Sequence, residues 1–151
     1  MEVPGPHIRV NQISAISNEG TVRFMTYQGS LNAAVFLLFL TKLITGASRK
    51  MLLIADRLQA HKTPEVQAWV EAHREQIEVF YLPAYSPELN PVEYLNNDMK
   101  GAVNEAGLPP DRPTLQGRLL DFMKRLVGMP EHVISYFLHP WTQYAAPVEL
   151  I

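Results

Sequence analysis

Cysteine is absent from the 151 residues. That excludes disulfides and thiolate metal sites and fits a reducing compartment. Long apolar runs are missing too: the longest, roughly Ala33 to Leu40, falls far short of the ~20 residues a membrane-spanning helix needs. The opening "MEVPGPHIRV" lacks the basic-then-apolar pattern of a secretory leader. Positive charge is not in excess, with 13 Lys and Arg against 15 Asp and Glu and a net charge of -2. The composition is therefore not that of a basic nucleic-acid-binding module, and an anionic partner must be held by local positive groups or by metal ions. There is no internal repeat, low-complexity tract or glycine-rich phosphate loop. Ser86 has no partner histidine at a readable spacing, and His7, His132 and His139 are not spaced as metal ligands. What remains is ordinary: 47% hydrophobic and 19% charged residues, in a length that suits one domain with a real core.

The pattern along the chain alternates strands and helices. "HIRVNQISAIS" and "TVRFMTY" flank "NEG", with Gly20 available for positive φ, and read as a β-hairpin. "SLNAAVFLLFLTKLITG" places Val35, Phe36, Phe39, Leu40 and Leu43 at helical spacing, with Gly46 as a stop. "KMLLIAD" is a continuously apolar run, as expected of a strand covered on both faces. Thr63 and Pro64 then suit the N-cap and first position of a helix carrying Val66, Trp69, Val70 and His73 on one face. "IEVFYL" is another strand. A helix is predicted from about Pro91 to Val103, with Val92, Leu95, Met99 and Val103 as its core stripe. "GLPPDRP", about residues 107–113, reads as a linker to two amphipathic helices, "TLQGRLLDFMKRL" and "PEHVISYFL". The residues Arg118, Lys124 and Arg125 read as a solvated face, and about residues 1–7 as a flexible tail. This order predicts one α/β domain over 1–151, with a sheet antiparallel at one side and parallel at the other.

Two acids draw attention. Functional residues of open α/β sheets gather at the carboxyl ends of parallel strands, where Asp56 follows "MLLIA"; the plainer reading is that Asp56 caps the next turn. The stretch "YLPAYSPELNPVEYLNNDMK", residues 81–100, leaves the next strand end through Pro83, Pro87 and Pro91. Fixed proline φ angles predict a stiff extended arm that delivers the following helix to a defined place. Glu93 lies beside the core stripe of that helix, aligned with Asn97 and Lys100. Two carboxylates converging there would suit a hard divalent cation. Equally, Asn90 and Glu93 have the spacing of a capping box, and periodicity leaves both readings open.

"LLIADRLQAHKT" followed by "YLPAYSPELNPVEYLNNDMK" resembles the second and third acidic motifs of mariner-like insertion-sequence transposases of the DDE superfamily. "VNQISAISNEG" and "VISYFLHPWTQYAA" resemble the hairpin before the second acid and the C-terminal segment of that family. The resemblance implies a ribonuclease-H-like mixed sheet with C-terminal helices. It also implies three carboxylates holding two Mg²⁺ or Mn²⁺ ions for DNA phosphodiester cleavage and strand transfer. Carried over, Asp56 is the second acid and Glu93 the third, both catalytic and metal-binding. Arg57, His61, Lys62, Asn97 and Lys100 are candidates for contacting DNA, with the plainer readings of Arg57 a solvated side chain and of His61 a residue at the start of a helix bonding nearby backbone. Localisation by the same resemblance is cytoplasmic, of bacterial type.

The departures shape the expectation. The family's first acid precedes the hairpin, and upstream of Asp56 this chain holds only Glu2 and Glu19. Arg57 stands where the family often has Asn, and Asn96 where many members have Trp. The sequence therefore predicts the C-terminal part of a catalytic domain that binds metal weakly with two ligands and is inactive alone. It would be completed by a separate N-terminal transposase polypeptide, or persist as an inactive remnant acting as a DNA- or protein-interaction module. Loss of a central strand predicts apolar strand edges and a homo-oligomer, with residues 8–17 or 51–55 at the contact.

Overall fold

The computed structural model describes residues 8–56 and 61–146. In chain order its elements are β1 (Asn11–Ile16), β2 (Val22–Tyr27), α1 (Ala33–Ile44), β3 (Met51–Ala55), α2 (Pro64–Ala72), β4 (Ile77–Tyr81), α3 (Val92–Asn104), α4 (Arg112–Val127) and α5 (Pro130–Ser135). The α/β class expected from the sequence is the one observed. Backbone hydrogen bonds divide the strands into two two-stranded sheets, the antiparallel β1–β2 hairpin and the parallel β3–β4 pair. The chain forms two compact units, one of residues Met1–Gln28 and Pro91–Ile151 and the other of Gly29–Asn90. Residues 1–7, read from sequence as a tail, lie outside the described residues.

In the first unit, Gly20 turns the hairpin with φ +94°, and the Ser17 hydroxyl accepts from Thr21 N–H at 3.0 Å. The hairpin then packs β1 against α3 and β2 against α4. Helical spacing buries Leu95, Met99 and Val103 of α3 and Leu115, Leu119, Met123 and Leu126 of α4. With Val10, Val22, Val133, Tyr136 and Phe137 they form one apolar cluster, each large side chain worth about 1.5–3 kcal/mol relative to exposure. Asp111 caps α4, accepting from Thr114 N–H at 2.8 Å, so the helix starts at Arg112, inside the stretch read as linker. Arg118 is not part of a solvated face: its guanidinium donates to the carbonyls of Val103 at 2.8 Å and Gly107 at 2.6 Å. Those carbonyls, at and just beyond the end of α3, have no onward helical partner, which is why a cation settles there.

In the second unit, Asn32 caps α1 by accepting from Val35 N–H at 2.9 Å, and Thr63 caps α2 by accepting from Val66 N–H. Helix α1 packs against α2, and α2 against β4. The pair β3–β4 is in register from Met51 with Ile77 to Ala55 with Tyr81. The expectation that β3 is covered on both faces is not met. Leu52 is 65% exposed and Ile54 39%, with Phe80 of β4 at 48%. Strand side chains alternate between faces whatever their chemistry, so an unbroken apolar run cannot reveal that one face is open. The proline-rich segment also departs from a uniformly extended arm. Pro87–Leu89 is a turn of 3₁₀ helix, and Tyr85 adopts φ +56°. A φ fixed near that of proline suits a helical first turn as well as an extended chain.

Candidate active site

Strand β3 ends in a buried Ala55 whose carbonyl accepts from Leu82 N–H at 2.8 Å. The chain therefore leaves the sheet at a fixed point, and Asp56 is the next residue. Its side chain is 47% exposed, while that of His61 beside it is 8% exposed. The His61 Nδ1 lies 2.9 Å from the Asp56 carboxylate Oδ1 and 3.3 Å from the Asp56 carbonyl. A carboxylate only accepts, so Nδ1 carries the proton. The imidazole stacks on Phe36 of α1, ring centroids 4.1 Å apart, and the Tyr81 hydroxyl donates to the His61 carbonyl. Burial raises the Tyr81 hydroxyl pKa. The Nε2 of His61 is buried and has no hydrogen-bond partner among the described residues.

Lys62 is exposed, its ammonium 5.7 Å from the centre of the Tyr81 ring. Arg57, and the turn that Asp56 was read as capping, lie outside the described residues. The structure thus brings Asp56, His61 and Lys62 together in one unit, around Tyr81.

Glu93, Asn97 and Lys100 belong to the other unit, on the exposed face of α3. Glu93 stands in the first turn of the helix. The capping-box reading put the cap at Asn90; the cap position is instead Pro91, which makes no side-chain cap bond. Proline at the start of the helix needs no partner for an N–H it lacks, so the Glu93 carboxylate is not drawn back onto the backbone. Among the described residues no three His, Asp or Glu side chains are grouped to hold a metal. As separate donors, Asp56 and Glu93 do fit a hard cation, because both are carboxylates and neither is buried.

Sequence reasoning missed a second polar cluster. Asp98 of α3 accepts from the Tyr136 hydroxyl at 2.6 Å, and the same oxygen lies 2.8 Å from His132 Nε2. Burial, then the hydrogen bond and charge of Asp98, push the Tyr136 pKa well up. A signal existed: His132 and Tyr136 are four apart, so they share a helical face. Their partner, 38 residues from Tyr136, left none.

A family described as DDE superfamily endonuclease matches residues 1–116. No curated protein matches the chain. Among solved structures, the catalytic domain of Mos1 mariner transposase is similar with a TM-score of 0.60 at 13% identity, over 93% of this chain and 82% of that one. The catalytic core domain of BIV integrase matches with a TM-score of 0.46 at 16% identity, over 77% and 82%. The likeness to the mariner catalytic domain is one of fold, the ribonuclease-H-like fold expected from the motifs.

Proposed function

The chain belongs to the DDE superfamily endonucleases, and from that premise we propose that it supplies the second and third acids of a catalytic domain for metal-dependent DNA cleavage and strand transfer in transposition. The observation that carries the reading is Asp56 at the carboxyl end of a parallel strand, held by His61 and followed by the N-P-x-E motif that sets Glu93 in the first turn of α3. Asp56 and Glu93 are the residues that would hold Mg²⁺ or Mn²⁺. Bound divalent cations supply phosphodiester chemistry with an activated hydroxyl and a stabilised leaving oxygen.

The chain's own groups do the rest. Lys62 and Lys100, both exposed, attract phosphate, and Asn97 donates to it; such contacts position DNA without reading its sequence. Binding supported by so few cations is weak and falls with salt. The family chemistry calls for a third carboxylate. Glu19 sits exposed in the hairpin turn and does not end a strand, and Glu2 lies outside the described residues. We assign the third carboxylate to a strand supplied from outside this stretch, by a preceding segment or a second polypeptide. Pairing between copies, through residues 8–17 or 51–55, is the other source of an added strand. Light scattering across a dilution series tests the copy-to-copy form, which a monomer at all concentrations rules out.

The deciding experiment measures Mn²⁺-dependent nicking of supercoiled DNA, by this chain alone and mixed with a polypeptide ending a strand in Asp. Little nicking alone and restored nicking in the mixture, lost in Asp56→Asn and in Glu93→Gln, is the expected result. Robust nicking by this chain alone, abolished by Asp56→Asn, overturns the assignment of the third acid; nicking indifferent to both substitutions overturns the site.

A further inference from the structure

His61 is only 6% exposed, and among the described residues just one of its two ring nitrogens has a partner. A buried polar atom without a hydrogen bond is unfavourable, and Nε2 is such an atom. If this position served only to fill the space against Phe36, a phenyl ring would stack there and leave nothing unpaired. What the imidazole adds is the Nδ1–H donor, 2.9 Å from the Asp56 carboxylate and, more distantly, 3.3 Å from the Asp56 carbonyl. The ring giving that bond is fixed twice over, by the stack on Phe36 and by the Tyr81 hydroxyl on its own backbone carbonyl. A donor held this firmly fixes the plane of the acceptor.

We propose that His61 is a positioning residue: its Nδ1–H holds the Asp56 carboxylate through Oδ1 in the orientation in which it serves a divalent cation. The inference rests on the reading of Asp56 as a metal ligand and adds the group that orients it. Hydrogen-bonded partners of ligating carboxylates act this way in metal sites generally, and their loss costs about 10- to 100-fold in affinity. It also accounts for a histidine kept where an apolar ring would be more stable. Stability and metal affinity should then move in opposite directions on one substitution.

The test is Mn²⁺ binding to the full chain, followed by electron paramagnetic resonance of the free ion, beside thermal unfolding without metal. His61→Phe keeps the stack and removes the donor, and should hold or raise Tm while weakening Mn²⁺ binding about tenfold. His61→Asn places an amide N–H where Nδ1 sits and should recover most of the affinity. Undiminished binding by a folded His61→Phe overturns the proposal, as does a folded His61→Asn no better than His61→Phe. If His61→Phe does not fold, the ¹⁵N resonance of Nδ1 in the wild-type chain decides. A shift on Mg²⁺ titration that is absent in Asp56→Asn supports the proposal, and an unmoved resonance overturns it. Asp56→Asn separates the two claims. Wild-type binding indifferent to that change removes the metal reading and this inference together, whereas binding that needs Asp56 but not His61 removes this inference alone.

Discussion

The Tyr136 hydroxyl donates a hydrogen bond to Asp98 at 2.6 Å, joining the segment that ends α5 to the middle of α3. Tyr136→Phe keeps the ring in the core and deletes the bond. Hydrogen bonds to charged acceptors contribute about 1.5–3 kcal/mol, and Asp98 retains His132, so a loss of about 1–2 kcal/mol is expected in urea unfolding. The pH dependence has a definite sign. The folded state holds the Tyr136 proton more tightly than the unfolded chain does, so this stability is complete below the ordinary tyrosine range near 10 and is lost as pH rises through the folded value. Tyr136→Phe should flatten the alkaline limb of the stability curve. Tyr81 and Tyr144, also raised by burial, leave a residual slope.

Gly20 combines φ +94° with contact so close that an added Cβ would stand 2.6 Å from the Cβ and carbonyl oxygen of Pro130. Gly29, at φ +77°, has open space around it. Gly29→Ala should cost only the left-handed backbone penalty, about 1–2 kcal/mol. Gly20→Ala adds a clash with backbone at the start of α5 and should cost clearly more. Denaturation midpoints of the two variants compared side by side give the answer, and equal losses would show that the Pro130 contact gives way freely.

Asp111 accepts from Thr114 N–H at the start of α4, and its hydrogen bonds to Thr114 hold its pKa below the ordinary aspartate value. The stabilisation is therefore present above that ordinary value and is lost as pH falls through the lower folded one. Asp111→Asn keeps a competent cap but cannot titrate. Its stability at neutral pH should stay near wild type while its acid unfolding shifts to lower pH; an unchanged acid midpoint would mean that other carboxylates dominate.

Asp56→Asn and Glu93→Gln should each reduce Mn²⁺ binding without a large fall in Tm, since neither side chain is buried and the amide oxygen of Asp56→Asn still accepts from His61 Nδ1–H. Removing a carboxylate takes away charge and a ligand together. Calorimetric titration of each variant against wild type measures this. A large fall in Tm for either would assign that acid a structural role.

Much of this was legible from local chemistry. Thr63, Pro64 and Gly20 do what their residue types predict, because caps and turns depend on neighbours a few positions away. The acids Asp56 and Glu93 were singled out by resemblance, since spacing alone left a capping role equally open. What the sequence hid lies at long range or within apolar uniformity. Leu52, Ile54 and Phe80 look like core because alternation is invisible when both faces are apolar. Arg118 looked solvated because its carbonyl partners lie at and just beyond the end of another helix, and Tyr136 looked merely aromatic because Asp98 is far away in the chain.

The two sheets also differ in when they can form. The β1–β2 hairpin needs only its own turn and closes on a scale of about 1–10 μs. Strand β3 must wait for its partner: Met51 pairs with Ile77, about 26 positions on, and synthesis at about 5–20 residues per second leaves it unpaired for roughly 1–5 s. Throughout that interval Met51–Ala55 is a nascent apolar segment with no mate, and even afterwards Leu52, Ile54 and Phe80 keep an oily side outward. Slower translation between residues 51 and 81 lengthens the time for which this apolar segment is exposed to aggregation.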